Sequence, residues 1–171
     1  YKVANTHATP NLTDALNSQA TSGIDETWNA SYTTSAIPGE KVKGKNPDFP
    51  AFYAAAHYDP GVSYKGSPAL TWYLPSISDF KWVFSALGLG DKTTLTQAGT
   101  TYDWYGHLAQ LAFTQVGGDG LGGWYYTSSE ISGDYNALFS SGGNLDGTRF
   151  IIFIRGNKFS YNPARAFVKY K

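Results

Sequence analysis

Histidine and serine are the residues in this sequence whose chemistry could support hydrolysis. His7, His57 and His107 lie in three separate segments. Their spacing from the serines and aspartates does not indicate a catalytic Ser/His/Asp triad. The chain lacks the Gly-x-Ser-x-Gly pattern, the sharp turn that exposes a nucleophilic serine in one large class of hydrolases. We therefore expect no catalytic role for these histidines and predict that the protein is not an enzyme.

Oxygen-bearing side chains cluster near one predicted loop, where they could bind calcium. They are Glu130, Asp134, Asn144 and Asp146. Calcium takes six to eight oxygen ligands of this kind, but Asn and Asp also form turns through their own backbone. The sequence has no cysteine, no His-x-x-x-His pair and no Glu-x-x-His pair, which disfavours zinc. We predict no metal and no cofactor.

Glu130 follows a predicted strand in the run SSE, and two roles compete for it. A glycosidase would need a second carboxyl about 5 to 10 Å away, and nothing in the spacing singles out Asp134 or Asp146. A structural glutamate would accept hydrogen bonds from backbone amides or pair with an arginine, for which Arg165 is a plausible partner. We favour the structural role, since such a pair, once buried, is costly to break on one side.

Aromatic side chains are abundant, with 13 tyrosines, 10 phenylalanines and 5 tryptophans. Rings at the start of a helix or in a loop are candidates for exposure, and binding pockets combine such rings with a few polar groups. A sugar could stack on the rings while Asn and Asp bind its hydroxyls. The predicted ligand-binding residues are Trp104, Tyr105, Asp134, Tyr135, Asn144 and Asp146. The alternative is that an aromatic-rich chain must leave some rings outside its core.

Length and charge narrow the class of protein further. A chain of 171 residues is one domain. The formal net charge is zero, which argues against binding to nucleic acid or to an anionic membrane surface. Apolar runs such as 150–154 are far short of the roughly 20 residues that span a bilayer. The low charge content, 15% of residues, suits an extracellular binding surface.

Hydrophobic periodicity predicts helices first and strands last, an α+β domain. Helices are expected at 48–58, 76–87 and 103–116, the second with a capping box formed by Ser76 and Asp79. The second helix is expected to carry an apolar face of Ile77, Phe80, Val83, Phe84 and Leu87, and the third a buried stripe of Leu108, Leu111, Ala112 and Val116. Gly156-Asn157 is predicted to be a two-residue hairpin turn. We expect residues 1–23 to form an N-terminal arm or a first strand and residues 24–171 to form the domain. The predicted strands are 124–129, 136–140, 149–155 and 165–170.

Several short runs of sequence resemble, in order, the motifs of a known family. They are AFYAAAHY at 51–58, WYLPS at 72–76, GGWYYTSSE at 122–130, NALF at 136–139 and RAFVKY at 165–170. This order is similar to the "WYLPS … YWSSTE … VRAV" domain of Bacteroidetes cell-surface proteins. That domain occurs in fimbrillin-like and tip-pilin proteins and in large paralogous families. The resemblance covers about residues 48–170.

The resemblance implies a C-type-lectin-like fold, in which two to three helices flank a small antiparallel sheet. GWYY would be a core strand, and RAFVKY would be the last strand, returning beside the first. This arrangement is expected to hold 124–130 and 165–170 in one antiparallel sheet. Calcium-dependent lectins of this fold carry a Glu-Pro-Asn or Gln-Pro-Asp triplet followed by Trp-Asn-Asp. This sequence has neither signature, and residues 144–146 (Asn-Leu-Asp) resemble the second one only weakly. The related formylglycine-generating enzymes depend on cysteine, which this chain lacks.

We therefore predict a non-enzymatic recognition or adhesion module, extracellular and exposed at the cell surface or a pilus tip. It would bind a glycan or a host or bacterial protein through the loop face at 130–149. One alternative is a structural pilus or fimbrial subunit whose arm, residues 1–23, joins another subunit by strand addition. A second alternative is a degenerate enzyme of the same fold.

Overall fold

A computed structural model describes residues 4–18, 22–61, 70–88, 90–91, 93, 106–120, 123–133, 135–143, 149–158 and 160–169. The α-helices within these ranges are α1 (Leu12–Asn17), α2 (Gly23–Trp28), α3 (Pro50–Ala56), α4 (Ile77–Ala86) and α5 (Gly106–Gln115). The strands are β1 (Thr71–Tyr73), β2 (Trp124–Ile131), β3 (Tyr135–Gly143), β4 (Arg149–Asn157) and β5 (Phe167–Lys169). The prediction of a mixed α and β domain with a small antiparallel sheet is confirmed.

The strands form two antiparallel sheets. β2, β3 and β4 make a three-stranded sheet in that order, and β1 pairs with β5 in a second sheet. Trp72 lies opposite Val168, so the last described strand pairs with β1 rather than with a strand inside residues 1–23. The expectation that 124–130 and 165–170 share one sheet is wrong. Only an isolated parallel bridge between Tyr126 and Ala164 joins the two regions.

Separate pieces of chain cover the edge of β2 that faces away from β3, and this explains the division into two sheets. The amide of Tyr126 donates to the carbonyl of Pro163, and the amide of Ser128 donates to that of Pro75. Further along, the amide of Thr9 donates to the carbonyl of Glu130. Because these partners occupy the edge, β5 pairs with β1 instead.

A β-bulge interrupts β2 within the motif TSSE. Tyr126 lies opposite Leu138 and Glu130 lies opposite Asn136, so β2 carries two more residues than β3 over this interval. Bulges redirect side chains and are common beside functional sites. Here Ser129 accepts a hydrogen bond from the amide of Ile77, which ties the bulge to the start of α4.

Helix α4 begins as its sequence predicts. The Ser76 hydroxyl accepts from the amide of Asp79 at 3.1 Å, and the Asp79 carboxylate accepts from the amide of Ser76 at 2.9 Å. The same carboxylate also accepts from the amide of Gly23 at 2.7 Å. A capping box thus fixes the helix start and joins it to α2. Of the predicted apolar face, Ile77, Phe80 and Phe84 are buried.

Three expectations about local structure need correction. Residues 1–23 were expected to be extended, but within them lies α1, whose Leu12, Ala15 and Leu16 are buried. The proposed hairpin turn at 156–157 instead continues β4, because β3 is long enough to pair with it to its end. Leu108, Leu111, Ala112 and Val116 of the region around α5 were expected to be buried, but all four are exposed. Periodicity identifies an apolar stripe but not what covers it.

The helices described in this structure are all too short or too polar to cross a membrane. The longest of them, α4 and α5, have 10 residues each.

Candidate functional site

A cleft of about 620 Å³ formed by described residues is the candidate site. Its walls come from the leading segment (residues 4–10), the start of α3, the bulged part of β2 and the loop at 158–164. Pockets that bind small ligands usually measure roughly 300 to 1,000 Å³. The cleft is therefore large enough for a small ligand or for part of a larger one.

Two polar side chains in the cleft wall carry atoms whose hydrogen bonding is incomplete. Asn5 is 3% exposed and Ser128 is 2% exposed. The Asn5 side-chain nitrogen donates to the carbonyl of Ser128 at 2.8 Å. Within the described part of the chain, Asn5 Oδ1 and Ser128 Oγ have no partner. Buried polar atoms without partners are rare and costly, and both of these atoms have almost no accessible surface.

Glu130 holds the leading segment against this wall. Its carboxylate accepts from the amide of Ala4 at 3.0 and 2.9 Å and from the amide of Asn5 at 2.5 Å. It also forms an ion pair with Lys158, which in turn donates to the carbonyl of Gly133 at 3.2 Å. The prediction that Glu130 binds backbone amides is confirmed. We call Glu130 and Lys158 together the clasp.

Arg165 is not the partner of Glu130, and this part of the prediction is wrong. Its guanidinium lies 5.0 Å from the ring centroid of Phe113 and 5.5 Å from that of Tyr125. It donates to the carbonyl of Asp119 at 3.1 Å. Arginine stacks well on aromatic rings, and this position joins β2 to the end of α5 rather than to the cleft.

Aromatic rings also line the cleft. Phe49 and Phe52 form an edge-to-face pair with ring centroids 6.4 Å apart. Tyr126 is buried, and its hydroxyl donates to the turn at 157–160. Tyr161 is fully exposed at the rim. The cleft thus combines apolar rings with polar atoms that lack partners, which is the usual composition of a binding pocket.

A second cluster of charged groups borders the cleft through Phe52, whose ring centroid lies 5.4 Å from Lys43 Nζ. Lys43 and Glu26 form an ion pair at 3.3 Å, and their side chains are 0% and 1% exposed. The Lys43 ammonium also donates to the carbonyl of Tyr32 and to the hydroxyl of Thr33, each at 3.1 Å. Burial raises the pKa of Glu26 to about 7, against the opposing effect of Lys43. Burial lowers the pKa of Lys43.

Most of the predicted ligand-binding residues lie outside the described residues. These are Trp104, Tyr105, Asp134, Asn144 and Asp146. Tyr135 opens β3, where its backbone lies opposite Ile131 and Asn157. The proposed loop site at 130–149 therefore stays a prediction, and the cleft stands beside it as a site that the sequence did not predict.

The histidines do not meet in one catalytic arrangement. His57 lies at the end of α3, where it stacks on Tyr53 at 4.1 Å, and His107 lies in α5. His7 Nδ1 lies 3.8 Å from Glu26 Oε1, and its ring lies 4.5 Å from that of Tyr32. No group of three or more metal-binding side chains was found among the described residues.

Sequence reasoning missed the residues that form the cleft. Ser128 carried a partial signal, because the run TSSE was already part of a motif. Asn5, Phe49 and Tyr161 carried none, because each reaches the cleft from a different segment. A comparison with protein-family models, curated proteins and solved structures found no match.

Proposed function

We propose that this protein is a non-enzymatic recognition and adhesion module of the cell surface that binds a glycan in the cleft. The observation that carries the proposal is the lining of the cleft, which combines aromatic rings with polar side chains. Sugar hydroxyls could bond these polar groups while the apolar face of the sugar lies on the rings.

The charges that line the cleft favour an uncharged sugar. They are Asp48, Glu130 and Lys158, and the ammonium of Lys158 is already engaged by Glu130 and Gly133. An anionic ligand would meet a net negative lining. A C-type-lectin-like fold, a surface or pilus-tip location and a relationship to the Bacteroidetes domain remain parts of this proposal. The sheet topology speaks against the first of them, since the resemblance implies one sheet for 124–130 and 165–170, whereas β2 and β5 lie in separate sheets.

The test is a glycan array probed with the purified protein, once in calcium and once in EDTA. We expect neutral glycans to be retained equally in both buffers, since the cleft needs no metal. Tyr161→Ala should weaken the signal. Tyr58→Ala is the matched control, because Tyr58 is an exposed ring that does not line the cleft. Binding that EDTA abolishes would favour the loop at 130–149, and no binding in either buffer would favour a protein ligand.

A structural pilus subunit is the second candidate function, and the position of the leading segment bears on it. The segment already pairs with its own domain, since the amide of Thr6 donates to Tyr32 and that of Thr34 to Ala4. Assembly by strand addition would first have to remove these bonds. Size-exclusion chromatography over a wide concentration range tests this role, because self-assembly would appear as a shift to larger species.

A further inference from the structure

The described lining of the cleft divides by segment into an apolar part and a polar part. The apolar part comes from α3 and consists of side chains of residues that are at least partly exposed: Pro50, Ala51, Phe52 and Ala54. The polar part comes from the loop at 158–164 and consists of Lys158, Ser160 and Asn162, which are also at least partly exposed. The polar residues that β2 and the leading segment contribute are buried. A ligand therefore meets apolar side chains along α3 and polar ones along the loop.

The apolar part is held in place by the fold itself. Phe52 packs against a buried cluster formed by Ala4, Ile37 and Phe49. Pro50 lies in the first turn of α3, where its missing amide proton removes no helical hydrogen bond. A sugar that offers only hydroxyls here would lose hydrogen bonds to water without gaining partners, whereas burial of a methyl group would be favourable. The apolar part thus favours a sugar that carries an apolar substituent.

Asp48 places a carboxylate directly before the apolar part in the chain. It is exposed and lines the cleft. Its backbone amide donates to Asn46 Oδ1 at 2.9 Å, and the side chain of Asn46 donates in turn to the carbonyl of Glu40 at 2.9 Å. These bonds fix the approach to α3. Because a carboxylate has about four acceptor sites, Asp48 can accept a hydrogen bond from a ligand in addition to bonds within the protein.

We infer that the cleft selects a neutral N-acetylated sugar, whose acetamido N–H donates to Asp48 and whose acetamido methyl group lies on the apolar part. An acetamido group carries an N–H donor and a methyl group on either side of one carbonyl carbon. It therefore matches a carboxylate that is followed at once by apolar side chains. The hydroxyls of the same sugar bond Ser160 and Asn162 in the polar part. The inference rests on the proposed function and adds the class of sugar.

Two matched disaccharides test the inference, N,N′-diacetylchitobiose and cellobiose, which differ only in the substituents at their two C2 positions. Calorimetric titration of the wild type should give a Kd about fivefold or more lower for the acetylated sugar. In saturation-transfer NMR, its methyl protons should receive the strongest saturation. Equal Kd values, or retention of only unacetylated glycans on the array, would overturn the inference and leave the proposed function standing. If no glycan binds at all, both fail.

A variant of the carboxylate tests the predicted contact with the acetamido group. Asp48→Ala should lower the ratio of the two Kd values by about threefold or more while changing the Kd for cellobiose by less than about twofold. Asp48→Asn keeps an acceptor and should retain part of the ratio. Asp59→Ala is the matched control, because Asp59 is an exposed acid that accepts from the amide of Gly61 at 2.8 Å and does not line the cleft. An unchanged ratio in Asp48→Ala, or an equal fall in Asp59→Ala, would overturn the inference.

Discussion

Two lysine–glutamate ion pairs lie within the described residues, and they have the same chemistry but different surroundings. Glu26 and Lys43 are sealed from solvent, and the lysine is fully supplied with acceptors. In the clasp, Lys158 is 19% exposed, and the pair lies beside the two unpartnered atoms of the cleft. A buried ion pair that joins elements of the core stabilises the fold. An ion pair at the edge of a cleft can instead fix the positions of the residues that line the cleft.

Breaking the sealed pair should give the largest effect. Lys43→Met keeps most of the side-chain volume but leaves Glu26 buried without its cation, which we expect to cost about 3–5 kcal/mol of the free energy of unfolding. Urea denaturation measures this. Lys45→Met is the control, because Lys45 lies two residues away and is exposed, and it should change stability by less than about 0.5 kcal/mol. Similar losses in both variants would contradict a special role for the sealed pair.

Breaking the clasp should cost less. Glu130→Gln retains one acceptor for the amides of Ala4 and Asn5 but loses the ion pair with Lys158, and we expect a loss of about 1.5–3 kcal/mol. Hydrogen exchange at the amides of Ala4 and Asn5 should accelerate far more than exchange in β3 and β4. Uniform acceleration across the chain would show that the clasp stabilises the whole fold, as the sealed pair does.

The sealed pair should also make stability depend on pH. Because the pKa of Glu26 is raised from 4.5 to about 7, the folded state holds a proton that the unfolded state releases between these values. The free energy of unfolding should therefore fall as pH rises through this range, by about 1–3 kcal/mol for this group. Urea titrations at pH 5 and pH 7.5 measure the change.

Glu26→Gln should flatten this part of the pH dependence, whereas Glu40→Gln should not. Glu40 is an exposed acid that accepts a hydrogen bond from the amide of Val42. A pH dependence that survives Glu26→Gln unchanged would assign it to other groups, among them Asp79, whose pKa burial also raises.

The smallest effect on stability is expected at the rim of the cleft. Tyr161 is fully exposed, so Tyr161→Ala should leave the free energy of unfolding within about 0.5 kcal/mol while reducing ligand retention. Thermal unfolding and the array measure the two quantities on the same preparation. A marked loss of stability would show that Tyr161 belongs to the core rather than to the binding surface.

Local features of this fold could be predicted from the sequence, and distant pairings could not. Ser76 and Asp79 lie three residues apart, so their capping box follows from spacing alone. The preference of Glu130 for amides could be predicted from its type, but its cation could not, because Lys158 and Arg165 are equally available in sequence. Helix α1 was missed because six residues carry little periodicity.

The candidate site shows the same limit more strongly. Ser128 belongs to a recognisable run, whereas its neighbour Asn5 approaches from the opposite end of the chain, and Tyr161 follows the last strand of the larger sheet. No local sequence pattern predicts that these residues lie close together, since their proximity depends on which strand edge each segment covers. The fold class could therefore be predicted, while the cleft required the arrangement of the chain in space.

The covered edge of β2 has a consequence for how these molecules behave when crowded together. A bare strand edge can pair with the same edge of a neighbour and start aggregation. Here that edge is bonded to Thr9, Pro75 and Pro163, each from a different segment. A molecule that lost the leading segment through Thr9 would lose one part of this cover and would leave the carbonyl of Glu130 open to pairing with a neighbour.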